Sequence, residues 1–269
     1  IARVVVGCGD PNPLVAGKGI QQLRDHGVEV TEHVLEKACT DLNFMFFHYI
    51  QSGRPYTALK YAMTLDGKIA AYTGASRWIT GAAARAHVHT LRNQYRGILV
   101  GVGTVLADDP LLTCRTPGGR NPVRVVCDSR LRTPLTAQVV RTAGEVPTIL
   151  ATCQEAPARQ RPYLDAGCQV LVLPERGGHV DLDALLDALG RQEVDGLLIE
   201  GGGALAWSAL EQGLVQRVYA YLAPMLLGGE GAKSPVEGRG FPAPDQAVRL
   251  KKLTLTPLGA DVLLEGEVM

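Results

Sequence analysis

The sequence lacks paired cysteines, long apolar runs and any excess of one charge. None of its six cysteines forms a Cys-x-x-Cys pair, and most stand inside apolar stretches. This pattern predicts buried, reduced thiols and argues against a disulfide framework or a metal cluster. The 27 basic residues are balanced by 27 acidic ones, so no nucleic-acid surface is expected. No apolar stretch exceeds strand length, so no membrane contact is expected either. We predict a cytoplasmic globular protein with a small-molecule partner.

The sequence also lacks an initiator methionine and a signal peptide at its start. Residue 1 opens the β-branched run "IARVVVG", which is typical of a buried strand. Such a strand needs neighbours in a sheet, so we expect the chain to be a fragment whose earlier residues are missing. Residues 1–53 read as a β-α-β-α piece, with one helix over "LEKACTDLNFMFFHYIQSG" that ends at Gly53. A piece of about fifty residues is too small to bury a core of its own.

From residue 54 onward, strand-length apolar segments alternate with helical patterns. This alternation predicts a second domain over residues 54–269, an α/β fold with a mainly parallel sheet and helices on both faces. The last segment differs, because polar and apolar residues alternate on both sides of "TPLGAD". That alternation predicts a β-hairpin, which would form an antiparallel edge of the sheet. Apolar strands such as "RVYAYLAPMLL" could serve a homo-oligomer.

Three consecutive glycines follow an apolar run in "DGLLIEGGGALAWSAL", and a helical pattern begins directly after them. Gly201, Gly203 and Ala206 satisfy the G-x-G-x-x-G/A fingerprint of a dinucleotide site. Residues without a Cβ let a phosphate approach backbone N–H groups, and a helix N-terminus adds favourable partial charge. A tight turn that packs against a neighbour explains the same glycines. No acid for the ribose of NAD follows about twenty residues later, so a phosphate site in another α/β fold fits better than a Rossmann unit.

A second glycine-containing segment, "GILVGVGTVLADDPLLTCR", carries charges of both signs. Gly101 and Gly103 read as the end of a strand. Loops after parallel strands are where α/β sheets bind ligands, so this loop is a candidate site. Paired acids before a proline are equally typical of a helix or turn cap. The loop presents Thr104, Asp108 and Asp109, and then Arg115.

Lys60 stands inside the apolar strand pattern "YTALKYAM", where a lysine is seldom buried without a function. A solvated position at a sheet edge is the alternative. His87 and His89 stand two apart on a predicted helix and therefore face different directions. The other four histidines are scattered along the chain, so no metal site is predicted in it.

Six segments together resemble a known family, the bifunctional riboflavin-biosynthesis deaminase–reductase. Its reductase domain has similar motifs in the same order and at similar distances. The stretch over residues 4–30 resembles the trailing part of its deaminase domain, so the resemblance covers nearly the whole chain. The six segments are "ALKYAMTLDGKIA", "TGASRWITG", "VGVGTVLADDPLLTCR", "VRVVCDS", "IEGGGALAWSAL" and "APMLLGG".

The resemblance implies a dihydrofolate-reductase-like domain that uses NADPH, preceded by a remnant of a cytidine-deaminase-like domain. The substrate would be 5-amino-6-(5-phosphoribosylamino)uracil, whose ribosyl group would be reduced at C1′ to ribityl. The missing ribose-binding acid also favours NADPH over NADH. Matching motifs place the NADPH contacts at Ala62, Trp78, Thr104, Asp108, Ser129 and the turn of Gly202, Gly203, Ala204, Leu205, Ala206, Trp207 and Ser208. They place the substrate contacts at Ser76, Arg92, Leu112, Arg115 and Glu200.

Three roles within this implied site agree with side-chain chemistry. Arg92 and Arg115 would pair with the substrate phosphate, because a guanidinium fork suits two oxygens. Glu200 would accept hydrogen bonds from the ribosyl hydroxyls. Opening of the sugar ring requires a proton on its oxygen, and we expect Lys60 or Asp108 to organise that proton.

The chain departs from the family in the deaminase part. The H-x-E and P-C-x-x-C motifs that hold zinc and the catalytic glutamate are absent. Zinc and deamination are therefore expected only of an intact protein with a part upstream of Ile1. Asp10 and Asn12 either border the deaminase pocket or form a plain turn. The alternative functions are a stand-alone pterin or pyrimidine reductase of the same fold and a non-catalytic nucleotide-binding module.

Overall fold

The computed structural model describes residues 1–269 as thirteen strands and nine α-helices. The helices are α1 (Lys18–Asp25), α2 (Glu36–Leu42), α3 (Phe44–Ser52), α4 (Ala82–Gln94), α5 (Val102–Asp108), α6 (Gln138–Arg141), α7 (Pro157–Asp165), α8 (Leu182–Arg191) and α9 (Gly203–Glu211). The strands are β1 (Arg3–Val5), β2 (Glu29–Thr31), β3 (Tyr56–Thr64), β4 (Gly97–Gly101), β5 (Val123–Cys127), β6 (Thr148–Thr152), β7 (Gln169–Val172), β8 (Glu175–Arg176), β9 (His179–Val180), β10 (Gly196–Ile199), β11 (Arg217–Ala223), β12 (Leu250–Leu258) and β13 (Asp261–Val268). None of the helices is both long and apolar enough to cross a bilayer.

Nine strands form the main sheet, in the order β12-β13-β11-β3-β10-β4-β5-β6-β7. Every neighbouring pair from β11 to β7 is parallel. The two pairs that involve β13 are antiparallel. Parallel neighbours need crossover connections, which the helices provide. The predicted parallel sheet with an antiparallel C-terminal hairpin is confirmed.

Helices cover both faces of the sheet, as predicted. Successive residues of a strand point to opposite faces. Leu197 and Ile199 therefore pack into one cluster with α8 and α9, while Leu198 packs on the other side with α4. Farther along the sheet, α5, α6 and α7 cover Val126 and Leu150 on the same side as α4. Both faces of the sheet are thus covered, and a ligand can approach only at the ends of its strands.

The start of α4 is tied to the C-terminal hairpin. Asp261 is buried at the beginning of β13. Its Oδ2 accepts a hydrogen bond of 2.7 Å from the backbone N–H of Gly81, the residue before α4. This contact satisfies one of the helix's free N–H groups and fixes the position of the helix that carries Arg92.

The strands of residues 1–53 are the parallel pair β1–β2, which lies outside the nine-stranded sheet. None of these residues is fully buried, which agrees with a piece too small for a core. This segment contacts the main sheet through α3: the rings of Phe44 and Tyr56 lie 4.6 Å apart, and the Tyr49 hydroxyl donates to the Gly190 carbonyl at 3.0 Å. The division into domains at residue 53 stays a prediction.

Four details differ from the expectations. The single helix predicted before Gly53 is two helices, because Asn43 leaves the helical conformation between them. Gly103 lies in α5 and not at the end of a strand. The hairpin β8–β9 has no counterpart in the sequence reading. The six cysteines are free thiols, but only Cys168 is buried. Cys39 stands on α2, which has no buried residue, and the other four stand near strand ends or in loops.

Candidate active site

The register of three parallel strands brings Lys60 and Glu200 together. Leu59 of β3 and Leu99 of β4 both pair with Ile199, the last residue of β10. Lys60 directly follows Leu59, and Glu200 directly follows Ile199, so the two residues lie side by side. Lys60 is therefore on a central strand, which excludes the alternative of a sheet edge. The carboxyl ends of such strands are where α/β folds bind ligands.

Glu200 lies between two cations. Its carboxylate accepts hydrogen bonds from Arg92 Nε at 2.7 Å and Arg92 Nη2 at 2.9 Å, a bidentate pair. Lys60 Nζ lies 3.6 Å from Glu200 Oε2. Arg92 Nη1 donates to the Thr113 carbonyl at 3.0 Å. The Glu200 side chain is 4 % exposed, against 14 % for Lys60 and 15 % for Arg92. The cluster is therefore nearly dry and carries one net positive charge.

The pKa values of the cluster follow from this arrangement. Burial acts to raise the pKa of Glu200, but the charges of Arg92 and Lys60 outweigh it and lower the pKa from 4.5 to about 2. Burial lowers the pKa of Lys60; the charge of Glu200 opposes this shift and Arg92 adds to it. Glu200 is thus ionised at neutral pH, and the Lys60 ammonium is a stronger acid than a lysine in water.

Tyr221 and His87 flank the same lysine. Lys60 Nζ lies 5.7 Å from the centre of the Tyr221 ring, and the Tyr221 hydroxyl is 2.8 Å from His87 Nδ1. Burial, with the charge of Glu200, raises the pKa of Tyr221, so the phenol stays protonated at neutral pH. No role was predicted for His87, because His87 and His89 face different directions on their helix and cannot share a metal. The partner of His87 is a tyrosine on β11, which only the fold reveals.

The glycine turn lies directly before α9 and contacts α5. Gly202 has a φ of +88°, a conformation that glycine adopts without strain. A Cβ on Gly201 would lie 2.8 Å from Thr104 Oγ1, so this glycine allows α5 to approach. The N–H groups of Gly201 and Gly202 donate to no backbone acceptor, and the first N–H groups of α9 have no intrahelical partner. Close packing and a phosphate cradle therefore both explain the glycines, and the free amides fit a phosphate.

The two acids of "ADDP" have different surroundings. The Ser76 hydroxyl donates to Asp108 Oδ1 at 3.4 Å, which joins a predicted substrate contact to a predicted cofactor contact. Thr104 and Asp108 are one helical turn apart on α5 and share a face. Asp109 Oδ1 instead accepts from the backbone N–H of Gln138 at 2.8 Å. Asp109 thus caps α6, and the cap interpretation is right for this residue alone.

Arg92 and Arg115, which were expected to hold a phosphate together, differ in their contacts, and the shared phosphate stays a prediction. Arg92 directs three of its N–H donors to Glu200 and Thr113. The Arg115 side chain is exposed and has no partner, while its backbone N–H donates to His89 Nδ1 at 3.2 Å. Burial, then the charges of Arg92 and Arg115, lowers the pKa of His89. Arg92 therefore fixes Glu200, and Arg115 alone presents a free guanidinium.

The remaining predicted contacts differ in what they can offer a ligand. The side chains of Leu112 and Ala206 are buried in the core, so a ligand would meet only their backbone. Trp207 is 8 % exposed and lines a groove together with Ala204 and Ser208. Ala62 is half-buried on β3, and Ala204 is exposed on α9 with Leu205 and Ser208 half-buried beside it. Trp78 is exposed, with the Arg85 guanidinium 4.4 Å from its ring centre. Ser129 lies beyond this cluster, at the end of β5.

Sequence reasoning missed two carboxylates near the site. Asp66 accepts hydrogen bonds from the Thr64 hydroxyl at 2.5 Å and the Gly228 N–H at 2.7 Å. The contact with the Thr64 hydroxyl, followed by that with the Gly228 N–H, lowers the pKa of Asp66 to about 2. The same contacts join the loops after β3 and β11. The Asp-Gly dipeptide was the available signal of a turn there.

The second carboxylate, Glu237, packs against the glycine turn: a Cβ on Gly203 would lie 2.5 Å from Glu237 Cγ. No sequence pattern indicates this contact.

Known proteins resemble this chain in sequence and structure. Residues 55–264 match the family described as the RibD C-terminal domain. Riboflavin biosynthesis protein RibD of Actinobacillus pleuropneumoniae is 52% identical over 269 residues, which are 100% of this chain and 72% of that protein. A 2,5-diamino-6-ribosylamino-4(3H)-pyrimidinone 5′-phosphate reductase of Methanothermobacter thermautotrophicus is 41% identical over 80% of this chain and 99% of that protein. A crystal structure of a diaminohydroxyphosphoribosylaminopyrimidine deaminase/5-amino-6-(5-phosphoribosylamino)uracil reductase from Thermotoga maritima has a TM-score of 0.81 and 32% identity, covering 100% of this chain and 72% of that one.

Proposed function

Because this chain belongs to the family of the RibD C-terminal domain, we propose that it is a riboflavin-biosynthesis reductase that converts the ribosyl group of 5-amino-6-(5-phosphoribosylamino)uracil to ribityl. The observation that carries this function is the buried cluster of Lys60, Arg92 and Glu200 beside a turn with free amides. The Methanothermobacter relative is named for a ribosylaminopyrimidine phosphate that still has its 2-amino group. Both pyrimidines are therefore substrates to compare.

The residues present fit NADPH as the reductant. Free amides of Gly201 and Gly202 suit its diphosphate, and the Thr104 hydroxyl adds a donor beside them. When bound, NADPH supplies a hydride for C1′ of the substrate. The contribution of the chain is to hold the reacting carbon atoms about 3–3.5 Å apart and to manage the accompanying proton.

The substrate is held by groups on the other side of Glu200. Arg115 has the free guanidinium that a 5′-phosphate requires, and the Ser76 hydroxyl can hydrogen-bond the pyrimidine or the sugar. Glu200 is fixed by Arg92, and its Oε2 faces Lys60. A carboxylate held in this way can accept hydrogen bonds from ribosyl hydroxyls and so orient the sugar.

Lys60 supplies the proton that ring opening requires. Reduction adds a hydride to C1′ and a proton to the ring oxygen, which leaves C1′. The lowered pKa of Lys60 makes its ammonium a better donor, and the charge of Glu200 opposes that lowering. Asp108 accepts a hydrogen bond from the Ser76 hydroxyl and makes no ion pair with Lys60 or Arg92, so we assign it to positioning of the substrate through Ser76.

Absorbance at 340 nm tests the function directly. We expect NADPH oxidation with 5-amino-6-(5-phosphoribosylamino)uracil and none with dihydrofolate. Activity only with the 2,5-diamino pyrimidine would show that the substrate is the pyrimidine that still has its 2-amino group. Activity with dihydrofolate would favour the pterin-reductase alternative. No turnover with any of these compounds would leave the non-catalytic nucleotide-binding module.

Two variants separate binding from proton transfer. Lys60→Ala should lower kcat about 10²–10⁴-fold, the usual contribution of a general acid. Arg115→Ala should mainly raise KM, because it removes a contact to the non-reacting phosphate. Lys251→Ala, on the exposed edge strand β12, should change neither value. If Lys60→Ala keeps full turnover, the acid role of Lys60 is wrong.

A further inference from the structure

A groove of about 580 Å³ continues from the glycine turn along α9. One wall consists of Ala204, Ser208 and Gln212, which are four residues apart and therefore share one side of the helix. The opposite wall is the short hairpin β8–β9, with Arg176 and His179. The family motifs imply contacts to NADPH at Ala204 and Ser208 but assign nothing to the hairpin.

The hairpin is anchored next to another implied NADPH contact. The backbone N–H of Val180, the last residue of β9, donates to Ser129 Oγ at 3.0 Å. Ser129 stands just beyond the carboxyl end of β5, at the same sheet edge as the glycine turn. The groove therefore lies between two segments that the sequence motifs associate with one dinucleotide. Its far end is at Gln212, just past the last turn of α9, where Arg176 makes a contact.

Arg176 and His179 are the basic residues of this groove. They stand opposite each other in the antiparallel pair, so their side chains project from the same face of the hairpin. Arg176 Nη1 donates to Asp183 Oδ2 at 3.0 Å and to Gln212 Oε1 at 3.1 Å. Both contacts use the same nitrogen. The Nε and Nη2 edge of the guanidinium is therefore free for a bidentate partner.

The acids of the groove are already paired. Asp183 accepts from Arg176 and from Arg54 Nη1, each at 3.0 Å. Glu211 lies 3.8 Å from Arg239 Nη2. Sites for NADH hold the 2′-hydroxyl of the adenosine ribose with a free carboxylate, whereas sites for NADPH place an arginine near the 2′-phosphate. The groove has an arginine and no unpaired carboxylate, which is the composition of an NADPH site.

We propose that Arg176, with His179 beside it, binds the 2′-phosphate of the cofactor and so selects NADPH over NADH. The inference rests on the proposed function, because it assumes a dinucleotide whose diphosphate lies at the glycine turn. Asp183 and Gln212 act as positioning residues that hold the guanidinium with its free edge toward the groove. The site would distinguish the 2′-phosphate dianion of NADPH from the neutral 2′-hydroxyl of NADH.

Calorimetric titration with adenosine 2′,5′-bisphosphate and with 5′-AMP tests this assignment without any turnover. The wild-type chain should bind the bisphosphate more tightly than 5′-AMP. Arg176→Ala should weaken the bisphosphate about 10- to 100-fold, the loss expected for hydrogen bonds to a charged group, and leave 5′-AMP unchanged. Arg176→Lys keeps the charge but not the planar guanidinium, so its affinity for the bisphosphate should lie between those of wild type and Arg176→Ala. Arg161→Ala, an exposed arginine on α7 outside the groove, should alter neither titration.

Equal affinity of the wild-type chain for the two nucleotides would overturn the assignment, and so would equal weakening of both by Arg176→Ala. A KM for NADPH that rises in Arg176→Ala while the KM for NADH stays constant would support it. Failure of the proposed function gives a different result, because the bisphosphate preference would then persist without reduction of either pyrimidine. Circular dichroism of each variant checks that the hairpin substitution leaves the fold intact.

Discussion

Replacement of Glu200 by glutamine should destabilise the protein more than any surface change of the same kind. The substitution keeps the shape of the side chain but removes the one negative charge between Lys60 and Arg92. Two buried cations would then face each other without a counter-charge. Removing one partner of a buried ion pair costs about 3–5 kcal/mol of unfolding free energy, because the other charge stays buried and unpaired.

The pKa of Glu200 leads to a similar magnitude. It falls from 4.5 to about 2 in the folded protein, and each pH unit of difference corresponds to about 1.36 kcal/mol. Ionisation of Glu200 therefore favours the folded state by about 3 kcal/mol at neutral pH. Because the folded-state pKa is the lower one, this stabilisation is complete above about pH 5 and is lost as the pH falls toward 2. The Glu200→Gln difference should shrink over that range.

Urea unfolding of wild type, Glu200→Gln and Glu211→Gln provides the measurement. Glu211 is a matched control on the neighbouring helix, 44 % exposed and 3.8 Å from Arg239. Its substitution should change the free energy of unfolding by less than about 1 kcal/mol. A Glu200→Gln variant as stable as Glu211→Gln at pH 7 would refute the description of Glu200 as the counter-charge of two buried cations.

Two smaller changes test the surroundings of the cluster. Gly202→Ala places a Cβ at a φ of +88° and should lower the free energy of unfolding by about 1–3 kcal/mol. It should also weaken NADPH binding in a fluorescence titration. Gly144→Ala is the control: it has open space around it and should change neither quantity. Tyr221→Phe removes the partner of His87 and should cost about 1 kcal/mol in thermal unfolding; Tyr61→Phe, on the neighbouring strand, is the control and should leave stability within about 0.5 kcal/mol.

Most of the fold could be predicted from the sequence because its signals are local. Apolar runs bounded by glycine mark the parallel strands, and the alternation around Gly259 marks the C-terminal hairpin. The break at Asn43 could not be predicted from the apolar spacing, which continues through it. The hairpin β8–β9 was missed for a related reason: each of its strands has two residues, too few for any periodicity.

The site was predictable as a list of residues but not as an arrangement. Lys60, Arg92 and Glu200 were all named from their motifs, yet the bidentate pair between Arg92 and Glu200 joins positions 108 residues apart. That contact depends on strand register and on where α4 begins, which are properties of the whole sheet. That two arginines share a phosphate stays a prediction; the contact that could not be foreseen is the buried carboxylate of Glu200 on the Arg92 guanidinium.

The charge of the cluster explains why a lysine is kept beside an arginine in a nearly dry site. One carboxylate neutralises only one of the two cations, so a positive charge remains where the sugar would lie. Such a charge is costly in the empty site, as the lowered pKa of Lys60 shows. It becomes favourable when a ring oxygen gains negative charge as it leaves C1′, because preorganised charge stabilises a transition state without reorganisation. The cost in the free protein and the gain in the reaction thus have one origin, the unequal number of charges around Glu200.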